Sequence, residues 1–208
     1  MVDEKDSSFV GNAVVLVFGA LFLLSVILLI STGPKTTGYA TETSTISNVT
    51  ISSYFAIDMS VNLTDGIQFG TISALPATNQ NATHNYDGAN TTDGGGTYNQ
   101  STSMWMNVST DSNTAVDFCV KADALNTSAG DAIGLANESY SNYTATNFTV
   151  PRLAKEVGLT TSYVTAGLNT AAGSNNYYRF WLDVPAATPT GVYNNTVNFK
   201  GVATGGAC

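Results

Sequence analysis

The longest apolar run of the chain lies near its N-terminus and constrains every other inference. Residues 9–30 read FVGNAVVLVFGALFLLSVILLI, which is 22 residues without a charged side chain. As an α-helix this run is about 33 Å long, enough to cross the roughly 30 Å hydrocarbon core of a bilayer. A buried core helix is usually shorter and amphipathic, whereas this run is apolar on all sides. The sequence therefore predicts a hydrophobic helix over residues 9–31.

Three interpretations of this helix stay open. It is a retained membrane anchor, a cleaved signal peptide, or a pilin-like helix that leaves the membrane to form a filament core. Residues 1–8, MVDEKDSS, carry more acidic than basic side chains. Signal peptides begin with a basic region and have a shorter apolar core. The pattern therefore favours an anchor, with residues 1–8 as an N-terminal tail.

Eleven Asn-x-Ser/Thr sequons follow the apolar run, and none precedes it. Such sequons are acceptors for N-linked glycans on the exported side of a membrane. We therefore expect a cytoplasmic tail and an extracellular domain that carries covalent N-glycans. The sequon asparagines are Asn48, Asn62, Asn81, Asn90, Asn99, Asn107, Asn126, Asn137, Asn142, Asn147 and Asn194.

The polar surface of the chain contains few charges. Charged residues make up 11% of the sequence, the net charge is −8, and there are seven lysines and arginines in total. This balance argues against a nucleic-acid partner, because phosphates require a cationic face. A surface of threonine, asparagine, serine and glycine suits glycans or burial in an assembly.

Two cysteines, Cys119 and Cys208, are the only ones in the chain. An even count outside the cell predicts a disulfide, which here closes a loop of about 90 residues and ties the C-terminal residue to the domain. Two free thiols are the alternative. A metal site is disfavoured, because the pair has no CxxC spacing.

Alternation of apolar and polar residues predicts strands throughout residues 48–208. Residues 49–61 alternate over their full length, with a break expected near residues 52–53. Further strands are predicted around residues 104–108, 116–122, 180–184 and 193–199, and also at residues 67–72 and 133–136. The sum of seven or eight strands predicts an antiparallel, immunoglobulin-like β-sandwich.

The segments between these strands have distinct compositions. Residues 32–47 form a Thr-rich linker whose extended half is able to pair as a strand, residues 76–100 form a long polar loop, and residues 151–159 form a short helical turn. Trp105 and Trp181 fall on outward strand faces. An outward tryptophan requires cover by the protein's own loops, by a neighbouring subunit or by a sugar ligand.

Residues for catalysis are scarce, so we predict that the chain is not an enzyme. The single histidine, His84, lies in the polar loop without a recognisable nucleophile partner. Asp87, Asn90 and Asp93 recur at three-residue intervals near glycines, which makes this loop a weak candidate for Ca²⁺, with an ordinary turn as the alternative. No other metal or cofactor is predicted.

An apolar N-terminal helix followed by a Thr/Asn-rich β-sandwich resembles archaeal cell-surface and pilin-like proteins. The segment YYRFWLDVPAATPTGVYNNTVNFKGVA is similar to the closing hairpin of secreted microbial β-sandwich subunits, such as TasA-like fibre proteins and archaeal bundling pili. The resemblance implies assembly through a strand that one subunit donates to its neighbour's sheet. Residues 38–48 are the donor that this resemblance suggests.

Taken together, the sequence predicts a structural, N-glycosylated cell-surface protein that assembles with itself into a filament or a surface layer. Its helix lies in the membrane or in a filament core. The alternative is an adhesin or carbohydrate-binding module displayed on the same anchor. An assembly predicts a fibre or sheet on cells, whereas an adhesin predicts dispersed monomers that bind glycans.

Overall fold

The structure, a computed structural model, describes residues 18–24, 46–85 and 101–208. This part of the chain is mainly β, with antiparallel sheets and few helices, as the alternation in the sequence predicts. The strands are β1 Ile57–Met59, β2 Ala77–Asn81, β3 Met104–Val108, β4 Val116–Ala122, β5 Leu125–Asn126, β6 Ala132–Ile133, β7 Glu138–Tyr143, β8 Val157–Gly158, β9 Val164–Thr170, β10 Asn175–Val184 and β11 Val197–Ala203.

The larger sheet is built around β10, its longest strand. On one side β10 pairs with β3 through its first half and with β2 through its second half. On its other side β10 pairs with β7, and the full order is β1-β3-β10-β7-β8 with β2 beside β10. A second sheet has the order β11-β4-β9, and β5 and β6 form a separate two-stranded hairpin.

Inward side chains of the two main sheets form one hydrophobic core. On β3 and β4 the core positions alternate as predicted: Met104, Met106 and Val108 are at most 1% exposed. The rings of Tyr178 on β10 and Phe199 on β11 meet edge to face with centroids 5.2 Å apart. This contact joins the two sheets across the core.

One predicted strand is much shorter in the structure. Residues 49–61 alternate throughout, yet only Ile57–Met59 pairs as a strand, and Val61–Thr64 forms one helical turn capped by the Ser60 hydroxyl. Residues 52–56 are instead hydrogen-bonded to Ser112 and Asn113 of the loop that follows β3. The prediction of a long strand was wrong, because alternation shows which face a strand would bury but not whether a partner strand is present.

Three other segments also depart from the predictions. Residues 67–72 contain no strand, although Phe69 is buried in the core. The polar loop 76–100 contains β2 and a 3₁₀ turn, Thr83–Asn85. Residues 133–136 divide between the end of β6 and a 3₁₀ turn, whereas the predicted helical turn within residues 151–159 exists as Leu153–Lys155.

The chain divides into two compact units, Met1–Val49 and Thr50–Cys208. Within the first unit, residues 18–24 are helical. Most of the predicted hydrophobic helix 9–31, the tail 1–8 and most of the linker 32–47 lie outside the described residues. Among the residues that are described, no helix combines the length and the apolar character needed to cross a bilayer.

The predicted disulfide between Cys119 and Cys208 is confirmed, with Cα atoms 5.7 Å apart. Cys119 lies on the outer face of β4, and the C-terminal residues cross that face to reach it. Asp117 fixes their path, because its carboxylate accepts the Gly205 N–H at 2.9 Å and the Thr204 hydroxyl at 3.3 Å. The tail therefore covers the outer face of β4.

Candidate functional site

An open groove with a volume of about 1040 Å³ lies beside the core of the second unit. One wall is formed by residues 59–75 and the other by residues 188–199. Core side chains of three strands line it, namely Leu125, Ile133, Leu182 and Val184. The groove therefore lies directly against the hydrophobic core, whose four side chains there are 4–6% exposed.

Strand β11 borders this groove and has one unpaired edge. It pairs with β4 along its whole length, and within the described part of the chain no strand pairs with its other edge. Its inward residues Val197 and Phe199 line the groove and are only half-buried. An edge strand beside incompletely covered core residues is a template for the addition of another strand.

The far end of β11 is closed by close packing. A Cβ atom at Gly201 would lie 3.1 Å from Ile57 and 3.2 Å from Phe55, so these two side chains rest directly on the glycine. Close packing therefore covers β11 at Gly201, whereas Val197 lines the groove.

An exposed apolar segment precedes the first strand of the same chain. Ile46, Val49 and Ile51 are 85, 83 and 77% exposed, and none belongs to a strand. Val49 and Ile51 alternate with polar residues, which is the pattern of a strand with one apolar face. The segment 46–52 therefore has the sequence of a strand and lacks a partner strand within the described residues.

A buried carboxyl group supports the wall of the groove. Asn195, which lines the groove, donates from its Nδ2 to Glu138 Oε2 at 2.5 Å and to the Asp123 carbonyl at 3.0 Å. Glu138 is 1% exposed. Burial raises the pKa of Glu138 to about 7, against the smaller opposing effect of the Asn195 hydrogen bond.

This pKa predicts that Glu138 contributes more to the stability of the fold in acid than at neutral pH. The unfolded chain releases the Glu138 proton near pH 4.5, whereas the native protein keeps it to about pH 7. We expect the unfolding free energy contributed by this group to be complete below pH 4.5. It should fall by about 3 kcal/mol as the pH rises through the native pKa. Urea denaturation of the wild type and of Glu138→Gln from acid to neutral pH measures this change.

The variant itself provides the control for this experiment, because Glu138→Gln keeps the shape of the side chain and removes its titratable proton. Glu138→Gln should flatten the wild-type pH dependence between pH 4.5 and 7. The assignment to Glu138 is wrong if the wild type and Glu138→Gln lose stability in parallel over that range.

The outer face of β10 is covered by the chain itself. Trp181 is 1% exposed, and its Nε1 donates to Asn81 Oδ1 at 2.8 Å. The sequence left open whether Trp181 is covered by the protein itself, by a neighbouring subunit or by a sugar. In the structure Trp181 contacts β2 of its own chain. Trp105 on β3 remains half-buried, beside its cross-strand neighbour Tyr177.

Arg179, next to Trp181, is completely buried. Its guanidinium donates to the carbonyl oxygens of Asn85 at 2.9 Å, Pro151 at 2.7 Å and Asn147 at 2.6 Å. One side chain therefore holds both the turn after β2 and the loop after β7 against the sheet.

The predicted glycosylation sites differ in exposure. Asn48, Asn126, Asn147 and Asn194 are exposed, and Asn62, Asn107, Asn137 and Asn142 are half-buried. Asn81 is 1% exposed and accepts hydrogen bonds from Trp181 and Asn85, so in the folded protein a glycan has no access to its side chain. Asn90 and Asn99 lie outside the described residues.

The calcium candidates Asp87, Asn90 and Asp93 also lie outside the described residues. In the part of the chain that the structure does describe, no three or more histidine, cysteine or acidic side chains converge on a metal site. His84 is half-buried in the 3₁₀ turn, and its carbonyl accepts the Thr102 hydroxyl at 2.9 Å. The contact of His84 with Thr102 is therefore made by its backbone carbonyl and not by its imidazole ring.

Comparison with protein-family models, with curated proteins and with solved structures finds no match for this chain. The candidate site therefore depends on the geometry alone. Sequence reasoning missed the groove and the Glu138–Asn195 contact, because both depend on which strands become neighbours. One signal in the sequence did point to this site. Residues 49–61 alternate over thirteen positions, whereas the observed strand β1 includes only three of them.

Proposed function

We propose that this chain is a structural, N-glycosylated cell-surface protein that assembles with itself into an extracellular filament or layer. In this proposal the hydrophobic helix 9–31 lies in the membrane or in a filament core, and residues 48–208 form an immunoglobulin-like β-sandwich outside the cell. The confirmed disulfide is consistent with an oxidising compartment. The proposal assigns no catalytic role.

One observation carries the assembly proposal: within the described residues, a strand-like segment and one edge of β11 both lack a partner strand. Residues 46–52 expose apolar side chains and have no partner strand among the described residues, and β11 borders an open groove lined by both polar and apolar side chains. The occupant that we propose for the groove is the segment 46–52 of a second copy. This donor overlaps the end of residues 38–48, the donor suggested by the resemblance.

Addition of the donor strand would give a partner both to segment 46–52 of one copy and to the edge of β11 in the other. The donor backbone would satisfy the free edge of β11, while Val49 and Ile51 would cover the half-buried residues Val197 and Phe199. Burial of two aliphatic side chains contributes about 3–6 kcal/mol. Association of two proteins costs about 4–15 kcal/mol. The strand alone is therefore a weak link, and in this proposal the packing of the hydrophobic helices supplies the rest.

Two variants at adjacent positions of the donor test this assembly. Ile51→Asp places a charge on the apolar face, and Ser52→Asp places the same charge on the polar face. We expect Ile51→Asp to abolish fibres or sheets in electron micrographs of the cell surface, and Ser52→Asp to retain them. Both changes lie at exposed residues and leave all sequons intact, so neither is expected to alter folding or glycosylation.

A synthetic peptide supplies a second measurement. Excess peptide ISNVTISS, which corresponds to residues 46–53, should block assembly, and the same peptide with Ile51→Asp should not. Equal assembly by both donor variants would overturn strand addition. Dispersed monomers that bind glycans would instead favour the adhesin alternative, for which Trp105 remains as a partly exposed aromatic side chain.

A further inference from the structure

Four of the nine sequon asparagines that the structure describes use their side-chain nitrogen in hydrogen bonds of the fold. N-glycosylation uses the Nδ2 atom of asparagine, and four of these atoms donate to acceptors within the domain. Asn107 donates to Asn175 Oδ1 at 2.7 Å, Asn126 to the Ala124 carbonyl at 2.8 Å, Asn137 to the Gly134 carbonyl at 3.0 Å, and Asn142 to Asn176 Oδ1 at 3.3 Å. A fifth sequon, at Asn81, is buried.

Asn147 has the opposite arrangement. Its Oδ1 accepts the Thr149 N–H and the Thr149 hydroxyl, each at 2.7 Å, and the Val150 N–H at 3.2 Å. The three donors on the oxygen hold the carboxamide in one orientation, and its Nδ2 donates no hydrogen bond to a described residue. Asn147 and Thr149 are both exposed. Among the sequons that the structure describes, this is the one whose hydroxyl contacts its own asparagine.

The loop that carries Asn147 is fixed from beneath. Arg179 donates to the Asn147 carbonyl at 2.6 Å, and the Asn147 N–H donates to the Val150 carbonyl at 3.1 Å. Phe148, between the sequon residues, is 63% exposed. An exposed aromatic ring beside the acceptor is a surface on which the apolar face of a sugar packs favourably.

We propose that Asn147 is an N-glycosylation site that the folded domain presents in a fixed geometry, and that its donor is an oligosaccharide carried on a lipid phosphate. In the transfer, Nδ2 forms a bond to C1 of the first sugar while the bond from C1 to the phosphate oxygen breaks. The lipid phosphate leaves with the electron pair, and a base of the transferase accepts the amide proton. This inference rests on the proposed N-glycosylated surface role.

Two threonines in equivalent sequon positions provide a matched test. Thr149 completes the Asn147 sequon and Thr144 completes the Asn142 sequon, and both side chains are exposed. The full chain is purified from its native surface, and its intact mass and glycopeptides are measured by mass spectrometry. We expect Thr149→Val and Asn147→Gln each to lose one glycan mass. Thr144→Val should lose none, and Thr149→Ser should retain the glycan.

The outcomes separate this inference from the proposed function. Glycans at Asn142 or Asn81 with an unmodified Asn147 would overturn the inference and leave the glycoprotein proposal standing. A chain without glycan at any sequon would overturn both the inference and the glycosylated part of the proposed function. Circular dichroism of each variant checks that a lost glycan does not reflect a lost fold.

Discussion

Removal of the disulfide should produce the largest loss of stability. We expect Cys119→Ala with Cys208→Ala to lower the unfolding free energy by about 4–5 kcal/mol, because the bond closes a loop that spans 89 residues. Without it the unfolded chain gains the entropy of that loop. Urea denaturation of both proteins under non-reducing conditions measures the difference.

Reduction of the wild type provides the control for the substitutions. A thiol reductant should destabilise the wild-type protein to nearly the level of the double variant and should leave the double variant unchanged. The tail keeps its hydrogen bonds from Thr204 and Gly205 to Asp117, so some order at the C-terminus should persist. A difference below about 1 kcal/mol would contradict the entropic argument, since it requires several times that value.

Replacement of the buried arginine should have a comparable effect. Arg179→Met fills a similar volume but removes the donors to three backbone carbonyls, those of Asn85, Asn147 and Pro151. Buried acceptors left without a donor cost about 1–3 kcal/mol each. We therefore expect the unfolding free energy to fall by about 3–5 kcal/mol, measured by urea denaturation.

Two further variants show whether this loss comes from the shape of the guanidinium. Arg179→Lys keeps the charge but not the planar fork of donors, so we expect an intermediate loss. Arg152→Met changes an exposed arginine and should alter the free energy by less than about 0.5 kcal/mol. Equal stability of the wild type and Arg179→Met would show that the carbonyls find other donors.

The period-two pattern predicted the inner faces of the central strands correctly. Phe118 and Val120 on β4 and Phe180 on β10 are fully buried, as their alternation indicates. The pattern is reliable there because each strand has neighbours on both sides. It failed at residues 49–61, where the alternation extends on both sides of β1 but no described strand pairs with the residues outside β1.

Strand β2 was missed for the opposite reason. Its residues, Ala77–Asn81, are mostly polar and carry no apolar alternation. The strand exists because its backbone pairs with the second half of β10, and because Asn81 accepts the indole N–H of Trp181. Pairing with a distant strand outweighs the weak local preference of such a segment.

The sequence by itself determined the antiparallel β character, the inner face of each central strand and the pairing of its two cysteines. These properties follow from local alternation and from residue counts, which are readable without knowing any neighbour. Only the tertiary structure decided that Trp181 and Arg179 are buried on an outer face, that Glu138 meets Asn195, and that β11 borders an open groove. Each of these depends on contacts between residues far apart in the chain, and the pattern within a single strand contains no information about them.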